Sequence, residues 1–452
     1  MTTSADSKAP AIWGFGREGR AAFAFFAKTR PGLKVAVLND TPLPPDVAAE
    51  LRGVEVLTGP EAAAALAAGR FDFVVKSPGI PLNRPEIAAA KANGARFTSA
   101  TNLWFEQKGA TPVIAVTGTK GKSTTSTLAF HLLRDAGLDV GLFGNVGVAP
   151  LGQPAPRDYA VVELSSYQTA DLEHAPDIVV FTNLSPEHMT WHGSVARYYE
   201  DKLRVASLPP RAVVICNGGD IRLREQFHDR PNVVWYNGDS GFRVRDGALW
   251  RDGARVDTSL FPLKGSHNLE NLAAALTLLD HIGARPPAPG LPLEGFHKLP
   301  HRLSEFFVEP DVLCVDDSIS TTPVATIAAL KTFAERPAVL LLGGTERGQD
   351  YADLYKLLAA AKRIKAVIAL PPNGARIFSE MSGLAMPFPM LKAANLREAV
   401  DAAFTWLEAG DMLLLSPAAP SFGEFANFEE RGEAFVALCR KREAERGGAP
   451  FG

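Results

Sequence analysis

The sequence predicts a three-domain α/β protein in which each domain has a mostly parallel sheet with flanking helices. A chain of 452 residues is too long for one ordinary core, since a domain has about 100–200 residues. Buried-strand patterns alternate with helical patterns along the chain, which is typical of parallel sheets. A proline- and glycine-rich stretch at residues 284–292 precedes the last such series. We therefore expect domains at residues 1–109, 110–300 and 301–452.

The first predicted domain opens with a βαβ unit. Apolar residues 11–13 lead into the glycine-rich turn G-F-G-R-E-G at residues 14–19. A helical stretch rich in alanine and phenylalanine follows, and then a second apolar run at residues 35–38. Another apolar run, residues 73–75, ends in the loop signal K-S-P-G, and a helical pattern returns at residues 85–93.

The second predicted domain begins with a buried strand at residues 113–116, a glycine-rich loop at residues 118–124 and an amphipathic helix. Between residues 233 and 262, short alternating runs with Asn-Gly and Asp-Gly turns predict a small antiparallel meander. A helix is expected at residues 268–279. The remaining strand candidates of the second and third domains are residues 159–164, 178–182, 212–215, 312–315, 338–342, 366–370 and 412–415.

The composition excludes several classes of partner. A formal net charge of −3 gives no basic surface for nucleic acid or an anionic membrane. Cys216, Cys314 and Cys439 are far apart and form no C-x-x-C pair, so neither a disulfide framework nor a zinc site is expected. The first residues lack a signal-peptide pattern, and the apolar runs are too short to span a bilayer. We expect a cytoplasmic monomer that acts on small molecules.

The strongest motif is the loop G-T-K-G-K-S-T, which lies directly between a buried strand and a helix. Its glycines let backbone amides turn toward phosphates, and the helix N-terminus adds partial positive charge. Lys122 is placed to neutralise phosphate oxygens, and the hydroxyl of Ser123 or Thr124 can ligate Mg²⁺. The alternative is a glycine turn with a surface lysine. The motif predicts ATP binding by Gly118, Thr119, Lys120, Gly121, Lys122, Ser123 and Thr124.

Two further polar side chains follow predicted strands. Glu163 lies in E-L-S-S-Y-Q, and His188 lies in T-N-L-S-P-E-H-M. The carboxyl ends of parallel strands line the ligand crevice of an open sheet. Because Mg²⁺ takes few protein ligands and keeps several waters, both side chains are candidate ligands together with Ser123. The alternative roles are a helix N-terminal charge for Glu163 and a capping or core histidine for His188.

Three residues are weaker candidates. Lys202 lies on a predicted helix in D-K-L-R, where a lone lysine is most often solvated. Asn268 and Asn271 lie at the start of another predicted helix, and Asn268 is a good N-cap. The patterns alone do not separate these structural roles from functional ones.

The turn at residues 14–19 is a weak signal by itself. Gly14 and Gly16 allow a phosphate to approach a helix N-terminus, and Asp40 follows at about the spacing of a ribose contact. This pattern would suit a nicotinamide oxidoreductase. A stronger phosphate loop elsewhere and the lack of a hydride-transfer site favour a nucleotide-sugar diphosphate instead. A catalytically inactive nucleotide-binding protein is a third alternative.

Taken together, these residues resemble the Mur ligase superfamily, which adds amino acids to the UDP-muramoyl peptide. The resemblance runs essentially end to end and is greatest to the glutamate-adding members. Its motifs, in family order, are G-F-G-R-E-G, V-K-S-P-G-I, T-G-T-K-G-K-S-T, G-N-V-G, E-L-S-S-Y-Q, T-N-L-S-P-E-H-M, K-L-R, G-S-H-N-L-E-N, L-P-H-R, D-D-S, L-L-G-G, L-L-L-S-P-A and F-E-E-R-G.

The resemblance implies an enzyme that uses ATP and Mg²⁺ to join glutamate to UDP-N-acetylmuramoyl-L-alanine through an acyl-phosphate. It implies catalytic roles for Lys122, Lys202 and His188, with Lys202 carbamylated. Closure of the C-terminal domain is expected to exclude water from the acyl-phosphate. The resemblance further implies that Asn268, Asn271, Arg302 and Asp317 contact ATP, and that Gly14, Gly16, Asp40, Ser77, Asn145, Thr321, Arg347, Ser421 and Phe428 contact the other substrates.

Two departures from the family pattern concern the incoming amino acid. Ile319 stands where the glutamate ligases usually have a lysine in D-S-K-x-T, and Arg347 stands where they usually have another lysine. Inverting the Cα of glutamate moves its two carboxylates, so a pocket for the other enantiomer must move its cations. Arginine offers a longer, bidentate fork in place of a point charge. We therefore hypothesise L-glutamate as the substrate, with D-glutamate as the alternative.

Overall fold

The computed structural model describes residues 9–284, 296, 300–308 and 311–447. The chain divides into two compact units. Unit 1 comprises residues 1–261 and 268–296, and unit 2 comprises residues 262–267 and 297–452. The proline- and glycine-rich stretch at residues 284–292 lies outside the described residues, except for Ala284. The domain boundaries suggested by the sequence stay a prediction.

The first sheet of unit 1 is five-stranded and entirely parallel, in the order β3-β2-β1-β4-β5. Its apolar strands are buried under helices on both faces, as parallel sheets require. Its elements are β1 (Ala11–Trp13), α1 (Arg17–Thr29), β2 (Ala36–Asn39), α2 (Pro45–Glu50), β3 (Val56–Thr58), α3 (Gly59–Ala67), β4 (Phe73–Lys76), α4 (Pro85–Ala92), β5 (Arg96–Thr98) and α5 (Ala100–Phe105).

The second sheet of unit 1 has six parallel strands in the order β11-β10-β9-β6-β8-β7. The order reverses around β6, so the loops after β6, β8 and β9 meet at one edge, where open parallel sheets bind ligands. Its elements are β6 (Val113–Thr117), α6 (Lys122–Asp135), β7 (Val140–Gly144), β8 (Tyr159–Glu163), α7 (Ser166–Ala170), β9 (Ile178–Phe181), α8 (Met189–His192), α9 (Val195–Leu203), a 3₁₀ turn (Arg204–Ala206), β10 (Val213–Asn217), α10 (Ile221–Phe227), β11 (Val233–Tyr236) and α11 (Ser266–Ile282).

A small antiparallel sheet of β12 (Phe242–Arg245), β13 (Ala248–Arg251) and β14 (Ala254–Arg255) forms the predicted meander. The prediction was wrong in starting it at residue 233, because β11 pairs in parallel with β10 and completes the large sheet. A short apolar run has the same appearance in an edge strand of a parallel sheet as in a hairpin.

Unit 2 has one six-stranded sheet in the order β15-β16-β20-β17-β18-β19. All pairings are parallel except that of β15 with β16. Apolar clusters cover both faces of this sheet. Its elements are β15 (Ser304–Val308), β16 (Val312–Asp316), α12 (Pro323–Thr332), β17 (Ala338–Gly343), α13 (Ala352–Ala360), β18 (Ile364–Leu370), α14 (Gly374–Ser382), β19 (Met390–Lys392), α15 (Leu396–Ala403), β20 (Met412–Leu415) and α16 (Phe428–Gly447).

The predicted fold class is confirmed, since mostly parallel sheets with flanking helices make up the described chain. The sequence patterns missed five strands, β3, β5, β7, β15 and β19. Three of them have only three residues each, and β7 carries two glycines. In the described part of the chain, no helix has both the length and the apolar character needed to cross a membrane.

Candidate active site

The loop between β6 and α6 adopts a conformation that only glycine allows at two positions. Gly118 has a φ of 139° and Gly121 a φ of 83°. A Cβ on Gly118 would lie 2.0 Å from the Thr182 hydroxyl oxygen, and one on Gly121 would lie 2.3 Å from Asn271 Oδ1. The glycines therefore serve both the turn and the close approach of neighbouring side chains.

Side chains from the loop after β9 hold this phosphate loop in place. The backbone N–H of Lys120 donates to Asn183 Oδ1 at 2.8 Å, and the Thr182 hydroxyl donates to the Lys120 carbonyl at 2.6 Å. The Thr119 hydroxyl donates to the Ser185 carbonyl at 3.0 Å. These bonds pre-organise the loop at the N-terminus of α6, where the helix favours an anion.

Two lysines belong to the glycine-rich motif at residues 118–124. Lys122 is the first residue of α6, and its ammonium donates to the Thr119 carbonyl at 2.8 Å. The ammonium of Lys120 lies 2.6 Å from the carboxylate of Glu187, which is a residue that the sequence patterns missed. Burial raises the pKa of Glu187, but the charges of Lys120 and Lys122 and the hydrogen bond from Lys120 oppose burial, and the net shift is downward. Glu187 lies inside T-N-L-S-P-E-H-M, so the motif itself contained the signal.

Asn268 and Asn271 meet the phosphate loop from α11. Asn271 Oδ1 accepts from the Thr125 hydroxyl at 3.2 Å, and Asn271 Nδ2 donates to Asn268 Oδ1 at 3.2 Å. The prediction that Asn268 caps the helix was wrong, because α11 begins at Ser266 and Asn268 lies inside it with its side chain buried. Its position beside the loop supports the ATP role that the resemblance implies.

Lys202 lies under the phosphate loop and not in solvent. Only 2% of this residue is exposed, and its amine donates to the Gly118 carbonyl at 2.8 Å. Burial, reinforced by the charge of Lys122, lowers the pKa of Lys202 well below its ordinary value, although Glu187 and Glu163 oppose this shift. The solvated-lysine interpretation therefore does not hold, and a neutral amine is favoured at this position.

Glu163 and His188 occupy the ends of the loops that surround Lys202. Glu163 is the last residue of β8 and is 3% exposed, and its Oε2 has no hydrogen-bond partner among the residues that the structure describes. His188 precedes α8 with a φ of 60°. Burial lowers the pKa of His188 to about 4, with Lys120 and Lys122 contributing and Glu187 opposing. A neutral imidazole can donate its lone pair to a metal.

These side chains fit a divalent cation of the Mg²⁺ type. The buried, unpaired oxygen of Glu163 needs a positive partner, and neutral His188 offers a nitrogen ligand. Ser123 lies in the first turn of α6 and is half-buried. Within the described ranges no closed cage of three or more His, Cys, Asp or Glu side chains occurs. Mg²⁺ does not need such a cage because it keeps several of its waters.

The glycine turn of the first sheet leaves room for a phosphate group. Gly16 precedes α1, and a Cβ there would meet no atom within 4 Å. Gly14 has a φ of 88°, and its carbonyl accepts from the Ser77 hydroxyl at 2.7 Å. Asp40 follows β2, but its two oxygens already accept from the Trp13 indole at 3.1 Å and from Arg84 at 2.9 Å. A ribose contact by Asp40 would have to compete with both.

Asn145 connects this turn to the second sheet. Its carbonyl accepts from both terminal nitrogens of Arg17 at 3.2 Å, and its N–H donates to the Glu163 carbonyl at 3.3 Å. Its side chain is left exposed beside the metal candidates. Arg17 was not singled out by the sequence patterns, although it lies within G-F-G-R-E-G.

In unit 2, Asp317 is the middle residue of the D-D-S motif and is buried. Its Oδ2 accepts from the hydroxyls of Ser320 and Ser416, the latter at 2.8 Å. Burial raises the pKa of Asp317 to about 6, although these hydrogen bonds and the charge of nearby Arg302 oppose the shift. The structure therefore brings Arg302 and Asp317 into the same neighbourhood, as the motifs suggested.

Of the four residues predicted to contact the amino acid, three lie on loops of unit 2 and the fourth, Phe428, begins α16. Thr321 accepts through its carbonyl from the Gln349 amide at 2.7 Å. Ser421 is buried, and Phe428 accepts through its carbonyl from the Ser318 hydroxyl at 2.8 Å. Arg347 is exposed, and its guanidinium lies 5.8 Å from the ring centroid of Phe422.

Arg431, in F-E-E-R-G, organises these loops and was missed by the sequence patterns. Its Nε donates to the Ser318 hydroxyl at 2.9 Å, and one terminal nitrogen donates to the carbonyls of Ser318 at 2.7 Å and Ala419 at 3.1 Å. Burial lowers its pKa to about 10, although the charges of Asp316 and Glu424 oppose the shift. No local pattern predicts that the segments of Ser318, Ala419 and Arg431 contact one another; only the family order of their motifs indicates it.

A phosphate loop on a parallel sheet, with a buried lysine and metal-ligand candidates beside it, defines a nucleotide-dependent enzyme of the phosphoryl-transfer class. Comparison with known families identifies which one. Residues 8–99 match the MurD-like N-terminal domain of Mur ligases, residues 116–279 the Mur ligase middle domain, and residues 301–419 the Mur ligase glutamate ligase domain. The chain belongs to the Mur ligase family of ATP-dependent, amide-bond-forming ligases.

Several curated relatives match along nearly the whole chain. A UDP-N-acetylmuramoyl-L-alanine–L-glutamate ligase of Xanthomonas oryzae pv. oryzae is 38% identical and covers 96% of this chain and 95% of the relative. A protein of the same name from Xylella fastidiosa is 39% identical over 95% of this chain and 94% of the relative. A third, from Salinispora tropica, is 39% identical over 95% of this chain and 97% of the relative.

Solved structures share the fold. The UDP-N-acetylmuramate–alanine ligase MurC of Thermotoga maritima superposes with a TM-score of 0.63 at 20% identity, covering 96% of this chain and 100% of that one. The MurF ligase of the same organism, solved with ADP, gives a TM-score of 0.60 at 15% identity, covering 97% and 96%. The family assignment excludes the nicotinamide oxidoreductase as an alternative.

Proposed function

We propose that this enzyme joins L-glutamate to UDP-N-acetylmuramoyl-L-alanine, with ATP as the energy source, in the synthesis of a peptidoglycan precursor. One observation carries the choice of substrates. Relatives named for this reaction are 38–39% identical to this chain along nearly their whole length. The amino-acid side of the chain also departs from the usual glutamate ligase pattern at Ile319 and Arg347.

The nucleotide half of the reaction is assigned to the phosphate loop. Backbone amides of Gly118–Thr124 and the N-terminus of α6 would bind the phosphates, and Lys122 would offset charge on the transferring phosphoryl group. The lysine is already held at the loop by the Thr119 carbonyl. Asn271 lies against Gly121 of the same loop, Asn268 is hydrogen-bonded to Asn271, and both would bind the nucleotide from α11.

Magnesium is proposed as the second cofactor, held by Ser123, Glu163 and His188. When bound, it would supply positive charge to the phosphate oxygens and orient them. The protein's own contribution is to present an imidazole whose pKa is lowered by burial and a buried carboxylate oxygen that accepts no hydrogen bond from the described residues. The unpaired Glu163 Oε2 is the observation that supports this assignment.

Lys202 is proposed to react with carbon dioxide and to act as a carbamate. Carbamate formation needs a neutral amine, which burial beside Lys122 favours at this position. The nitrogen attacks the carbon of CO₂ and forms a C–N bond while one C=O π-bond becomes an oxyanion, and one proton passes from the nitrogen to solvent water, which leaves a carbamate anion in place of the amine. That negative charge would be stabilised by the cations of the phosphate loop, which now disfavour the protonated amine.

The acyl side of the reaction follows from simple chemistry. The alanyl carboxylate is a poor acyl donor, so transfer of the γ-phosphoryl group converts it to an acyl-phosphate and releases ADP. The glutamate amine then attacks the acyl carbon, and phosphate leaves from a tetrahedral intermediate. Gly14, Gly16, Ser77 and Asn145 are proposed to hold the UDP-sugar. Asp40 belongs to this set only if the ligand displaces Arg84 or Trp13.

The amino-acid half is assigned to unit 2. Thr321, Ser421 and Phe428 would surround glutamate, and Arg347 would bind one of its carboxylates with a bidentate fork. Arg302 and Asp317 are proposed to contact ATP, as the family pattern implies. We further propose a monomer with no nucleic-acid or membrane partner. We also propose a cytoplasmic location, which agrees with the three buried cysteines that form no disulfide in the described chain.

The decisive experiment is product formation from purified protein. ATP, Mg²⁺ and UDP-N-acetylmuramoyl-L-alanine are supplied with each of a panel of amino acids that includes both glutamates, and phosphate release and product mass are measured. Phosphate release that requires both the UDP-sugar and glutamate supports the proposal. Release with a different amino acid, or none with the UDP-sugar present, would overturn the substrate assignment.

A further inference from the structure

A buried chain of hydrogen bonds joins Ser166, His192 and Asp201. His192 Nδ1 lies 2.7 Å from Asp201 Oδ2, and His192 Nε2 lies 3.0 Å from the Ser166 hydroxyl oxygen. An ionised carboxylate only accepts, so Nδ1 carries the hydrogen toward Asp201, and in that tautomer the Ser166 hydroxyl donates to Nε2. The second oxygen of Asp201 is also engaged, because Arg197 Nε lies 2.9 Å from Oδ1.

The same three residue types form the triad of serine hydrolases, but this arrangement cannot serve that chemistry. Ser166, His192 and Asp201 are 2%, 6% and 4% exposed, so no substrate carbonyl can reach the hydroxyl. Burying three polar side chains is costly unless each is hydrogen-bonded, and here the Ser166 hydroxyl, both His192 ring nitrogens and both Asp201 oxygens have a partner. Apolar side chains at these three positions would be sufficient for stability. The presence of three hydrogen-bonded polar side chains therefore needs another explanation.

The explanation lies in what each residue is attached to. Ser166 begins α7 three residues after Glu163, at the end of β8. His192 ends the single turn α8, which His188 opens, and its N–H donates to the His188 carbonyl at 3.1 Å. Asp201 precedes Lys202 on α9. Each member of the chain therefore lies within four residues of one candidate ligand or charged group.

Packing makes these short links rigid. Tyr167, next to Ser166, stacks on Trp191, next to His192, with ring centroids 4.7 Å apart. The Trp191 indole donates to the Gly79 carbonyl at 3.0 Å. A capping box of Ser165 and Gln168 fixes the start of α7. A shift of one segment is thus transmitted to the hydrogen bonds of the other two.

We propose that Ser166, His192 and Asp201 are positioning residues that set the distances between Glu163, His188 and Lys202, and so tune the affinity for the divalent cation. This inference rests on the proposed magnesium site. Residues that do not touch a metal but orient its ligands commonly change the metal affinity by about 10–100-fold. The three residues touch neither the metal nor the substrates in this account, and they act through the segments that they join.

The test uses the full-length enzyme with Mn²⁺ as the probe, whose binding in the presence of ADP is followed by electron paramagnetic resonance. Asp201→Asn leaves one oxygen to serve two donors, and it is expected to raise the Mn²⁺ dissociation constant about 10-fold or more. Ser166→Ala removes one hydrogen bond and is expected to raise it about 5-fold. Turnover is expected to recover as Mn²⁺ is increased, because the ligands themselves are intact.

The matched control is Glu225→Gln, which removes a carboxylate at an exposed position on another helix, α10, outside the chain of bonds. Its Mn²⁺ affinity should equal that of the parent. A double variant, Ser166→Ala with Asp201→Asn, should weaken Mn²⁺ less than the product of the two single effects, since the residues act as a unit. If Asp201→Asn does not fold, Ser166→Ala decides alone.

Unchanged Mn²⁺ affinity in folded Ser166→Ala and Asp201→Asn overturns the inference, as does a double variant whose effects simply multiply. A purely structural role predicts a lower thermal midpoint with parental Mn²⁺ affinity. Failure of the proposed function is recognised separately, because it would show as a parent protein that binds Mn²⁺ and ADP but forms no product with glutamate.

Discussion

The nucleotide region of unit 1 and the amino-acid region of unit 2 are built in different ways. In the first, Glu163, Lys202 and Asn271 are almost fully buried, and their neighbours leave them one arrangement. In the amino-acid region, the buried Arg431 donates a hydrogen bond to the backbone carbonyl of Ser318, while Arg347 and Phe422 lie exposed at the surface. We infer that the common chemistry of the family belongs to the buried region. We propose that the choice of amino acid belongs to the exposed region, where a substitution costs little stability.

The largest effect should come from the buried region. Lys122→Ala removes a pre-organised charge at the transferring phosphoryl group and should lower kcat by about 100-fold or more. Phosphate release with all substrates at saturation measures it. The exposed Lys28→Ala serves as the matched control and should retain parental activity. Near-parental turnover in the Lys122 variant would remove the phosphate loop from the mechanism.

A smaller and more selective effect is expected in the exposed region. Arg347→Ala should raise KM for glutamate about 10-fold, the worth of a charged hydrogen bond, and should leave KM for ATP unchanged. Because the side chain is exposed, the thermal midpoint should not move. Arg397→Ala, also exposed in unit 2, is the control. A rise in KM for ATP instead would show that Arg347 belongs to the nucleotide region.

The comparison is sharpened by Asp317, which is buried in unit 2. The pKa of its carboxyl is raised from the ordinary value of 3.8 to about 6, so the folded protein holds this proton more tightly than the unfolded chain does. The stabilisation that results is fully present below pH 3.8 and is lost as the pH rises through 6. Asp317→Asn, which keeps an acceptor for Ser320 and Ser416, should therefore raise stability at pH 8 by about 1–3 kcal/mol and change it little at pH 4. It should also lower ligase activity.

Thermal midpoints at the two pH values measure this stability effect. Asp353→Asn, at an exposed position on α13, is the matched control and should show no pH-dependent difference from the parent. A loss of stability at pH 8 in Asp317→Asn would mean that the ionised carboxylate is a net stabilising group. The ionised Asp317 would then stabilise the fold, and it would not be a residue that lowers the free energy of unfolding for the sake of function.

Local patterns predicted the parts of the site that are contiguous in the chain. The strand, glycine loop and helix around Gly118 and Lys122 follow from residues that adjoin one another. The partners of Lys120 and of Ser318 could not be predicted this way, because Glu187 lies 67 residues from the first and Arg431 lies 113 residues from the second. Which distant segments meet is decided by the packing of whole sheets, not by local periodicity.

The same limit applies to element ends. The start of α11 was placed two residues late because Asn268 resembles a cap, yet its buried side chain serves the phosphate loop. Lys202 was indistinguishable from a solvated lysine because its burial depends on α9 packing under a loop 84 residues away. In both cases the family resemblance implies the role, which stays a prediction, and the structure shows that the side chain is buried beside the phosphate loop or its neighbours.

The central claim is that the exposed cations of unit 2 select L-glutamate while the buried region carries out the common ligation. The most direct measurement is phosphate release with ATP, Mg²⁺ and UDP-N-acetylmuramoyl-L-alanine at equal concentrations of L- and D-glutamate in separate reactions. The account predicts a clear preference for L-glutamate, with the product confirmed by mass and by chiral analysis after hydrolysis. A clear preference for D-glutamate would contradict it and would show that Arg347 simply fills the role of the usual lysine.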